Sequence, residues 1–366
     1  MTTDREWMER ALMLAYLGLG RVWPNPAVGA VIVNHGRIVG EGFTQPGGRP
    51  HAETEALRAA GDAARGSTMY VTLEPCSHHG ETPPCTDAIV ASGISRVVAA
   101  IEDPDPRVSG RGFARLRWAG IAVDVGEGAE AAHEINYGFF TRIREGRPAV
   151  TVKVATSLDA RIATHTGESQ WITGEAARKE GHRLRADHDA VMVGIGTALA
   201  DDPELTSRLP GQEDRSPVRI VVDSRLRLPL TSKLVMTAKA RPTWILTLAE
   251  NDPLRRRALA DLGIELIDVP PMEAGRHDLQ AGLRLLGNRG LTRLLVEGGS
   301  RLIATLLLAD RVDRLVWFRA PILIGGDGIP ATAPLGIDRL EQARRWRRTG
   351  TTVLGDDVME TYARSA

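Results

Sequence analysis

The sequence predicts an α/β protein of two domains. Strand-like apolar runs alternate with segments of helical apolar spacing in both halves of the chain, which favours layers of sheet and helix. The length of 366 residues suits two or three domains. The alternation breaks at 142–148, a short charged stretch with glycine and proline. We place a boundary there, which gives domains at 1–145 and 146–366.

The first half opens with a helix. Thr3 and Glu6 have the spacing of a capping box, and apolar residues from Met8 onward recur at helical spacing until Gly18 and Gly20. The elements predicted after it are strands 28–33 and 36–40 around an Asn-His-Gly turn, helix 51–60, strand 68–73, a helix from 84 that stops at Gly93, strand 97–101, helix 114–119 and strand 121–125.

The second half restarts with a strand at 149–155. The strands predicted after it lie at 190–194, 218–222, 243–248, 264–269, 294–296 and 314–319. The prolines and glycines of segments 210–217 and 270–275 predict that both are loops. No internal repeat is found, and the two halves do not resemble each other.

Composition disfavours several classes of protein. Lys+Arg and Asp+Glu each total 46, so the formal charge is zero, which is unusual for a protein that binds nucleic acid or an anionic membrane. Hydrophobic residues make up 43%, enough to disfavour disorder. No apolar run approaches the roughly 20 residues of a membrane span, and the polar start is unlike a secretory signal. Two cysteines exclude a disulfide framework. We expect a cytoplasmic protein.

The most informative feature is a set of potential zinc ligands, His51, Cys76 and Cys85. An imidazole and two thiolates suit Zn²⁺, and three protein ligands leave one position open, which favours a catalytic site over a structural one. Glu53 lies two residues after His51, where it can transfer protons without binding the metal. This pattern is the signature of zinc-dependent nucleobase deaminases, although eight residues separate the cysteines here instead of two. A structural zinc site and unrelated side chains are the alternatives.

These residues resemble the bifunctional riboflavin-biosynthesis deaminase–reductases. The stretches that carry the resemblance are PNPAVG at 24–29, HAE at 51–53, TLEPCSHHG at 72–80, TPPC at 82–85 and DPDP at 103–106. The resemblance implies a cytidine-deaminase-like, three-layer domain that hydrolyses the ring amino group of a diaminohydroxypyrimidine ribosyl phosphate. It assigns zinc to His51, Cys76 and Cys85 and proton transfer to Glu53. Zinc lowers the pKa of its water to about 7, so hydroxide is available at neutral pH.

Other positions of this domain are open to two interpretations. Asn25 is a candidate for a substrate hydrogen bond or simply a turn residue between two prolines. His78 and His79 are candidates for holding a phosphate or belong to a solvated loop. Many family members have Lys or Arg where Glu81 stands and His where Thr44 stands. An acid is a poor phosphate contact, so either the phosphate is held elsewhere or Glu81 points away.

The second half is ambiguous without the resemblance, since glycines after strands at 194–196 and 298–299 fit either an anion site or plain turns. KVATSLD at 153–159, GESQWIT at 167–173, LADDP at 199–203 and VEGG at 296–299 extend the resemblance. It implies a dihydrofolate-reductase-like domain that uses NADPH to reduce the ribosyl group to ribityl. The implied NADP contacts are Ala155, Trp171, Thr197, Asp201, Ser224, Gly299, Ser300, Arg301, Leu302, Ile303, Ala304 and Thr305. The implied substrate contacts are Ser169, Arg185, Leu205, Arg208 and Glu297.

Chemistry supports some of these assignments. Arg185 and Arg208 suit a phosphate because guanidinium offers a rigid fork of donors, although solvated arginines are the ordinary alternative. Ala160 departs from the glycine common in the family, which predicts a stiffer loop. Lys153 and Asp159 are candidates for the proton donor of the reduction.

The resemblance therefore implies a two-domain enzyme. Residues 1–145 would form a zinc-dependent pyrimidine deaminase and residues 146–366 an NADPH-dependent reductase, and the two would act in turn on one small phosphorylated pyrimidine. The alternatives are a nucleic-acid base deaminase with an accessory nucleotide-binding domain, and a non-catalytic scaffold, which would be expected to lack Glu53 or a zinc ligand. We predict neither a nucleic-acid nor a membrane partner. We also predict a homo-oligomer; the apolar segments 302–308 and 316–318 suit an interface or the core.

Overall fold

The structure, a computed structural model, describes residues 3–79, 83–106, 108–272 and 276–365. The chain divides into two compact units, Met1–Gly146 and Arg147–Ala366. Both units are α/β, as the sequence predicts.

The first unit is built on one five-stranded sheet. Its helices are α1 (Asp4–Tyr16), α2 (Ala52–Ala60), α3 (Cys85–Ser92), α4 (Arg111–Trp118) and α5 (Ala129–Glu145). Its strands are β1 (Gly29–Asn34), β2 (Arg37–Phe43), β3 (Thr68–Val71), β4 (Arg96–Ala99) and β5 (Ala122–Val125). The strand order is β2-β1-β3-β4-β5. β1 runs antiparallel to β2 and β3, whereas β3, β4 and β5 are parallel.

Apolar cores cover both faces of this sheet. Ala30 and Ile32 of β1 pack with side chains of α2, α3 and α4. Val31 and Val33 pack with side chains of α1 and the start of α5. Because successive strand residues point to opposite faces, the sheet lies between two helical layers. The three-layer domain implied by the resemblance is confirmed.

Helix α2 lies directly on the backbone of β2. A Cβ at Gly40 would come within 2.2 Å of the carbonyl oxygen of Ala56, and one at Gly42 within 2.4 Å of that of Ala52. Only glycine permits this approach. It fixes the first turn of α2, which carries functional side chains described below.

Helix α5 is an element that the sequence analysis did not predict. Its last turn, 142–145, belongs to the stretch interpreted as a break. Ala132, Ile135 and Phe139 recur at helical spacing and are buried, so the signal was present. Gly146, with φ of 68°, ends the helix in the left-handed conformation that glycine favours.

The second unit is built on a nine-stranded sheet. Its helices are α6 (Glu175–Ala186), α7 (Ile195–Asp201), α8 (Lys233–Met236), α9 (Pro253–Asp261), α10 (Leu279–Asn288) and α11 (Ser300–Leu308). The strands of this sheet are β6 (Ala149–Thr156), β8 (Ala190–Gly194), β9 (Val218–Val222), β10 (Thr243–Thr247), β11 (Ile264–Asp268), β14 (Arg293–Glu297), β15 (Arg314–Arg319), β17 (Trp346–Leu354) and β18 (Asp357–Arg364). The short strands β7 (Arg161–Ala163) and β16 (Ile329–Pro330) pair together, as do β12 (Pro271–Met272) and β13 (Arg276–His277).

The strand order of the large sheet is β11-β10-β9-β8-β14-β6-β15-β18-β17. The strands from β11 to β15 in this order are all parallel, and each of them is predicted from the sequence. The antiparallel hairpin of β17 and β18 is not predicted, because β17 is a largely exposed strand rich in Arg and Thr. The predicted loop at 270–275 contains the short strand β12.

The two apolar segments considered for a subunit interface lie mostly in the core. Val316 and Phe318 of β15 are buried, as are Leu302 and Leu306 of α11, whereas Leu308 is 57% exposed. Core burial therefore accounts for most of both segments. Among the described residues, no helix combines the length and apolar character needed to cross a membrane.

Candidate functional site

The three potential zinc ligands of the first unit lie together. The ligand atoms of His51, Cys76 and Cys85 are all within 4.8 Å of one another. Nδ1 of His51 is 3.3 Å from Sγ of Cys85 and 3.7 Å from Sγ of Cys76. A tetrahedral zinc with ordinary bond lengths would hold an imidazole nitrogen and a thiolate sulfur about 3.6 Å apart. The three side chains fit a zinc ion with one position left open.

The ends of secondary-structure elements position these groups. His51 immediately precedes α2, Cys76 follows β3, and Cys85 is the first residue of α3. Glu53, in the first turn of α2, is only 4% exposed and lines the same cavity as His51 and Cys76. Burial raises the pKa of the Glu53 carboxyl, while the charge of His51 opposes that shift. A carboxyl with a raised pKa beside an open metal position is suited to proton transfer.

The thiol groups of Cys76 and Cys85 share a hydrogen bond that shifts the pKa values of both. Hydrogen bonds from the Cys85 thiol and His51, together with one of 3.3 Å from the Cys85 backbone N–H, lower the pKa of Cys76. Donation to Cys76 and burial raise the pKa of Cys85. Cys76 and Cys85 would hold zinc as thiolates, so the proton that the pair retains would be released when the metal binds.

Glu74 ties the metal cluster to a distant loop. Its carboxylate is buried, and its Oε2 accepts the backbone N–H groups of Asp103 and Gly110 over 3.2 and 2.9 Å. Its Oε1 accepts those of Gly112 and Phe113 over 2.8 and 3.3 Å. Four donors satisfy a carboxylate almost completely. Glu74 therefore holds the backbone at Asp103, Gly110, Gly112 and Phe113 close to Cys76, the metal ligand two residues further along the chain.

The cavity beside the cluster has a volume of 250 Å³. Asn25 and His78, which the sequence leaves open as candidates for substrate contacts, line it, whereas His79 does not and is exposed. Thr44 also lines it, but its hydroxyl lies 3.1 Å from the backbone N–H of Val28, from which it accepts. Glu81 lies outside the described residues.

Sequence reasoning missed several residues of this cavity. Arg49 and Arg142 line it, as do Asp103 and Asp105, which the resemblance placed only in a motif. Burial, with the charges of Asp105 and Glu74, raises the pKa of Asp103 to about 7. Arg142 lies three residues after the buried Phe139, so helical spacing could have placed both side chains on the same face of a helix.

The second unit contains a cavity of 1030 Å³. Of the implied NADP contacts, those that line it are Ala155, Trp171, Thr197, Asp201, Ser224, Gly299, Ser300, Arg301, Leu302, Ile303 and Thr305. Ala304 is instead buried in α11. All of the implied substrate contacts line the cavity, namely Ser169, Arg185, Leu205, Arg208 and Glu297. The structure thus brings together residues that are scattered along the sequence.

Both glycine segments of the sequence analysis meet at this cavity. A Cβ at Gly299 would lie 4.0 Å from the backbone nitrogen of Gly194 and 3.4 Å from Oγ1 of Thr197. Gly298 and Gly299 have φ of 84° and 87°, which favours glycine, and they lead into α11. Gly194 leads from β8 into α7. The carboxyl ends of parallel strands and a helix N-terminus are an ordinary place for nucleotide phosphates.

A buried group of charges lies beside these glycines. Arg185 donates from Nε and Nη2 to the two carboxylate oxygens of Glu297 over 2.6 and 2.9 Å, and from Nη1 to the carbonyl of Thr206. Burial would raise the pKa of Glu297, but Arg185, Lys153 and His182 outweigh it and lower the pKa to about 2. Lys153 is the register partner of Glu297 across β6 and β14.

The two candidates for the reductase proton donor differ in position. Lys153 lines the cavity, with its ammonium 5.5 Å from the ring centre of Phe318, and burial lowers its pKa. Asp159 does not line it, because its carboxylate accepts the Ser157 hydroxyl and the backbone N–H groups of Ile324 and Gly325.

Comparison with known proteins matches both units. Residues 148–359 match the RibD C-terminal domain, and residues 1–101 match the cytidine and deoxycytidylate deaminase zinc-binding region. Riboflavin biosynthesis protein RibD of Aquifex aeolicus is 43% identical over 361 residues, 99% of this chain and 98% of that protein.

Solved structures give the same result over the whole chain. Acinetobacter baumannii RibD, form 1, has a TM-score of 0.89 at 36% identity, covering 99% of both chains. The diaminohydroxyphosphoribosylaminopyrimidine deaminase/5-amino-6-(5-phosphoribosylamino)uracil reductase of Thermotoga maritima has a TM-score of 0.86 at 34% identity, with the same coverage. The chain belongs to the RibD family of bifunctional riboflavin-biosynthesis enzymes, which join a zinc-dependent deaminase to an NADPH-dependent reductase.

Proposed function

We propose that this enzyme deaminates a diaminohydroxypyrimidine ribosyl phosphate at residues 1–145 and reduces the ribosyl group of the product at residues 146–366. The observation that carries the first step is the convergence of His51, Cys76 and Cys85 next to the buried Glu53. The second step is supported by the large cavity at the carboxyl ends of β6, β8 and β14.

In the deaminase, His51, Cys76 and Cys85 would hold zinc, which supplies a Lewis acid for activating water. Glu53 accepts a proton as water adds to the ring carbon that bears the amine, and it returns that proton to the amino group. The carbon–nitrogen bond then breaks and ammonia leaves. Burial keeps bulk water away from Glu53, so its carboxyl exchanges protons with the reacting groups and not with the solvent.

In the reductase, bound NADPH supplies the hydride, and the chain positions it against the sugar. The backbone N–H groups after Gly299 suit a cofactor phosphate. Arg208, which is exposed in the cavity, suits the substrate phosphate. Arg185 instead fixes Glu297, since three of its nitrogens already donate within the protein. Lys153, beside Glu297 and facing the cavity, is the proton donor that we assign.

We also propose that the enzyme acts on a small molecule without a nucleic-acid partner, and that it forms a homo-oligomer in the cytoplasm. A zero formal charge supports the first point, because nucleic-acid binding needs a basic groove. Two free cysteines among the proposed ligands suit a reducing compartment. Sedimentation of the zinc-loaded chain measures its oligomeric state, and a steep salt dependence of RNA binding would favour the base-deaminase alternative.

The experiment supplies the diaminopyrimidine ribosyl phosphate and follows ammonia release together with NADPH consumption. Glu53→Gln is expected to abolish ammonia release while the chain keeps about one zinc, because Glu53 is not a ligand. The same variant should still oxidise NADPH when the deaminated compound is supplied. Glu55→Gln is the matched control, since Glu55 lies on the same helix and pairs with Arg58. Loss of zinc from Glu53→Gln would contradict the assigned role.

A further inference from the structure

Two arginines line the deaminase cavity. Arg49 belongs to the segment between β2 and α2, two residues before His51. Arg142 lies in the last turn of α5, on the face that also brings Phe139 and Ile143 to the cavity. Both arginines are half-buried. Guanidinium stays charged at every relevant pH, so these side chains bring permanent positive charge to a site that handles a phosphorylated compound.

Hydrogen bonds anchor both arginine-bearing elements to one segment, 24–28. Nδ2 of Asn25 donates to the carbonyl of Gly48, the residue before Arg49, over 2.9 Å. The backbone N–H of Ala27 donates to Oδ1 of Asn136 on α5 over 2.8 Å, and Nδ2 of Asn136 donates back to the carbonyl of Ala27 over 2.8 Å. Segment 24–28 therefore sets the position of both arginines relative to the cavity that it also lines.

The acidic side chains of the cavity disfavour a phosphate dianion near them. Asp103 and Asp105 contribute carboxyl groups from the segment after β4, and Glu53 lies beside the metal cluster. The Glu74 carboxylate is occupied by four backbone donors. Among the described lining residues, the arginines are therefore the permanent cations, and a phosphate is repelled from the acidic segment towards them.

The hydroxyl of Thr44 is not a substitute for a cation. It accepts the backbone N–H of Val28 and is 2% exposed, so it serves the start of β1. Thr44 therefore adds no positive charge to this end of the cavity.

We propose that Arg49 and Arg142 together bind the 5′-phosphate of the deaminase substrate. This inference rests on the proposed function of the first unit and names the residues that recognise the charge of its substrate. Arginine suits the task because its planar fork donates two parallel hydrogen bonds to phosphate oxygens. Binding of this kind is made equally in the ground state and the transition state, so it lowers KM and leaves kcat unchanged.

The test compares two substrates of the zinc-loaded full chain, the diaminopyrimidine ribosyl phosphate and its dephosphorylated ribonucleoside. Arg49→Gln and Arg142→Gln are each expected to raise KM for the phosphorylated compound about 10- to 100-fold, with little change in kcat. Neither should change kcat/KM for the dephosphorylated compound. Arg49→Lys, which keeps the charge but not the fork, should recover part of the loss. Inorganic phosphate should inhibit deamination by the unsubstituted chain and inhibit both glutamine variants less.

Two controls exclude a merely structural effect. Arg144→Gln alters an exposed arginine of the same helix, whose guanidinium lies 5.9 Å from the ring centre of Phe140. It should change kcat/KM for neither substrate. NADPH oxidation by each variant reports on the second unit. An equal loss for both substrates, or no loss for either, would overturn the proposal. If the unsubstituted chain released no ammonia from the phosphorylated compound, the proposed function would fall and this inference with it.

Discussion

The two cavities of this enzyme are built in opposite ways. The metal cluster takes its ligands from residues 51–85, and its cavity encloses 250 Å³. The reductase cavity encloses 1030 Å³ and takes its lining from residues between Lys153 and Ile329. A metal ion needs a few atoms of fixed chemistry, so its site leaves a compact motif in the sequence. A dinucleotide is held largely by backbone and packing, which any of several residue types can supply.

The two sites also treat a buried carboxylate differently. Among the described residues, no Lys or Arg forms an ion pair with Glu53, and burial raises the pKa of the Glu53 carboxyl. Glu297 accepts two hydrogen bonds from the Arg185 guanidinium, which contribute to lowering the pKa of the Glu297 carboxyl to about 2. The first carboxyl is suited to exchanging protons, and the second to holding a fixed negative charge. The same residue type is therefore suited to proton transfer in one unit and to a fixed ion pair in the other.

Removing a metal ligand should separate the two sites most completely. For Cys85→Ser we expect zinc content to fall from about one per chain to almost none, and deamination to drop by about 1000-fold or more. NADPH oxidation with the deaminated compound should persist, because the reductase cavity contains none of the metal ligands. Metal analysis and the two assays on one preparation measure this. Parallel loss of both activities would show that the sites depend on each other.

Glu297→Gln should act on the second site alone. Arg185 would keep a buried charge without its partner, so we expect a loss of about 3–5 kcal/mol in the free energy of unfolding and a fall in reductase activity, while deamination continues. Urea titration measures the first quantity, with the exposed Glu250→Gln as control.

The same variant carries a pH signature. The pKa of Glu297 is about 2 when folded against 4.5 for an ordinary glutamate, so the carboxylate stabilises the fold fully above pH 4.5. That contribution should decline as the pH falls from 4.5 towards 2, and the stability gap between the two chains should narrow over this range. A gap that widened there would contradict the assigned charge of Glu297.

Glu74→Gln should weaken the first site without removing its ligands. One amide oxygen cannot accept all four backbone N–H groups, so we expect a loss of about 1–3 kcal/mol in stability and a smaller fall in deamination than for Cys85→Ser. Zinc affinity and kcat of the deaminase should fall together while the reductase is unchanged. Glu102→Gln is the control, because Glu102 is exposed and, among the contacts of the described residues, accepts from the Ser109 hydroxyl of the same loop. Equal behaviour of the two variants would remove the positioning role of Glu74.

The smallest effect is expected at a turn that serves neither reaction. Ala160 has φ of 61°, a conformation that costs an alanine about 1 kcal/mol or more. Glycine removes that cost but gains entropy in the unfolded chain, so Ala160→Gly should stabilise the protein by about 0.5 kcal/mol. Chemical denaturation measures this, and Ala309→Gly, at φ of −74°, should show no gain. A change in reductase activity with Ala160→Gly would mean that the turn belongs to the reductase site.

Sequence reasoning succeeded where a local pattern carries the physics. The parallel strands of the second unit follow from apolar runs, and His51, Cys76 and Cys85 follow from ligand chemistry. It failed where tertiary contacts decide the structure. The exposed polar strand β17 forms because β18 pairs with it. Likewise, only the fold shows that Arg185, a predicted substrate contact, donates from two of its nitrogens to Glu297. The roles of the individual NADP and substrate contacts stay predictions.

The four backbone donors on Glu74 limit how this domain can be re-engineered. Segment 103–113 supplies both the Asp103 and Asp105 lining and the amides that Glu74 accepts. A chimera that imports this segment from a relative must therefore keep its backbone length, even if every side chain is exchanged. An insertion here would displace Glu74 and with it Cys76, two residues further along the chain. The substrate range is therefore better broadened from the side of the cavity that carries Arg49.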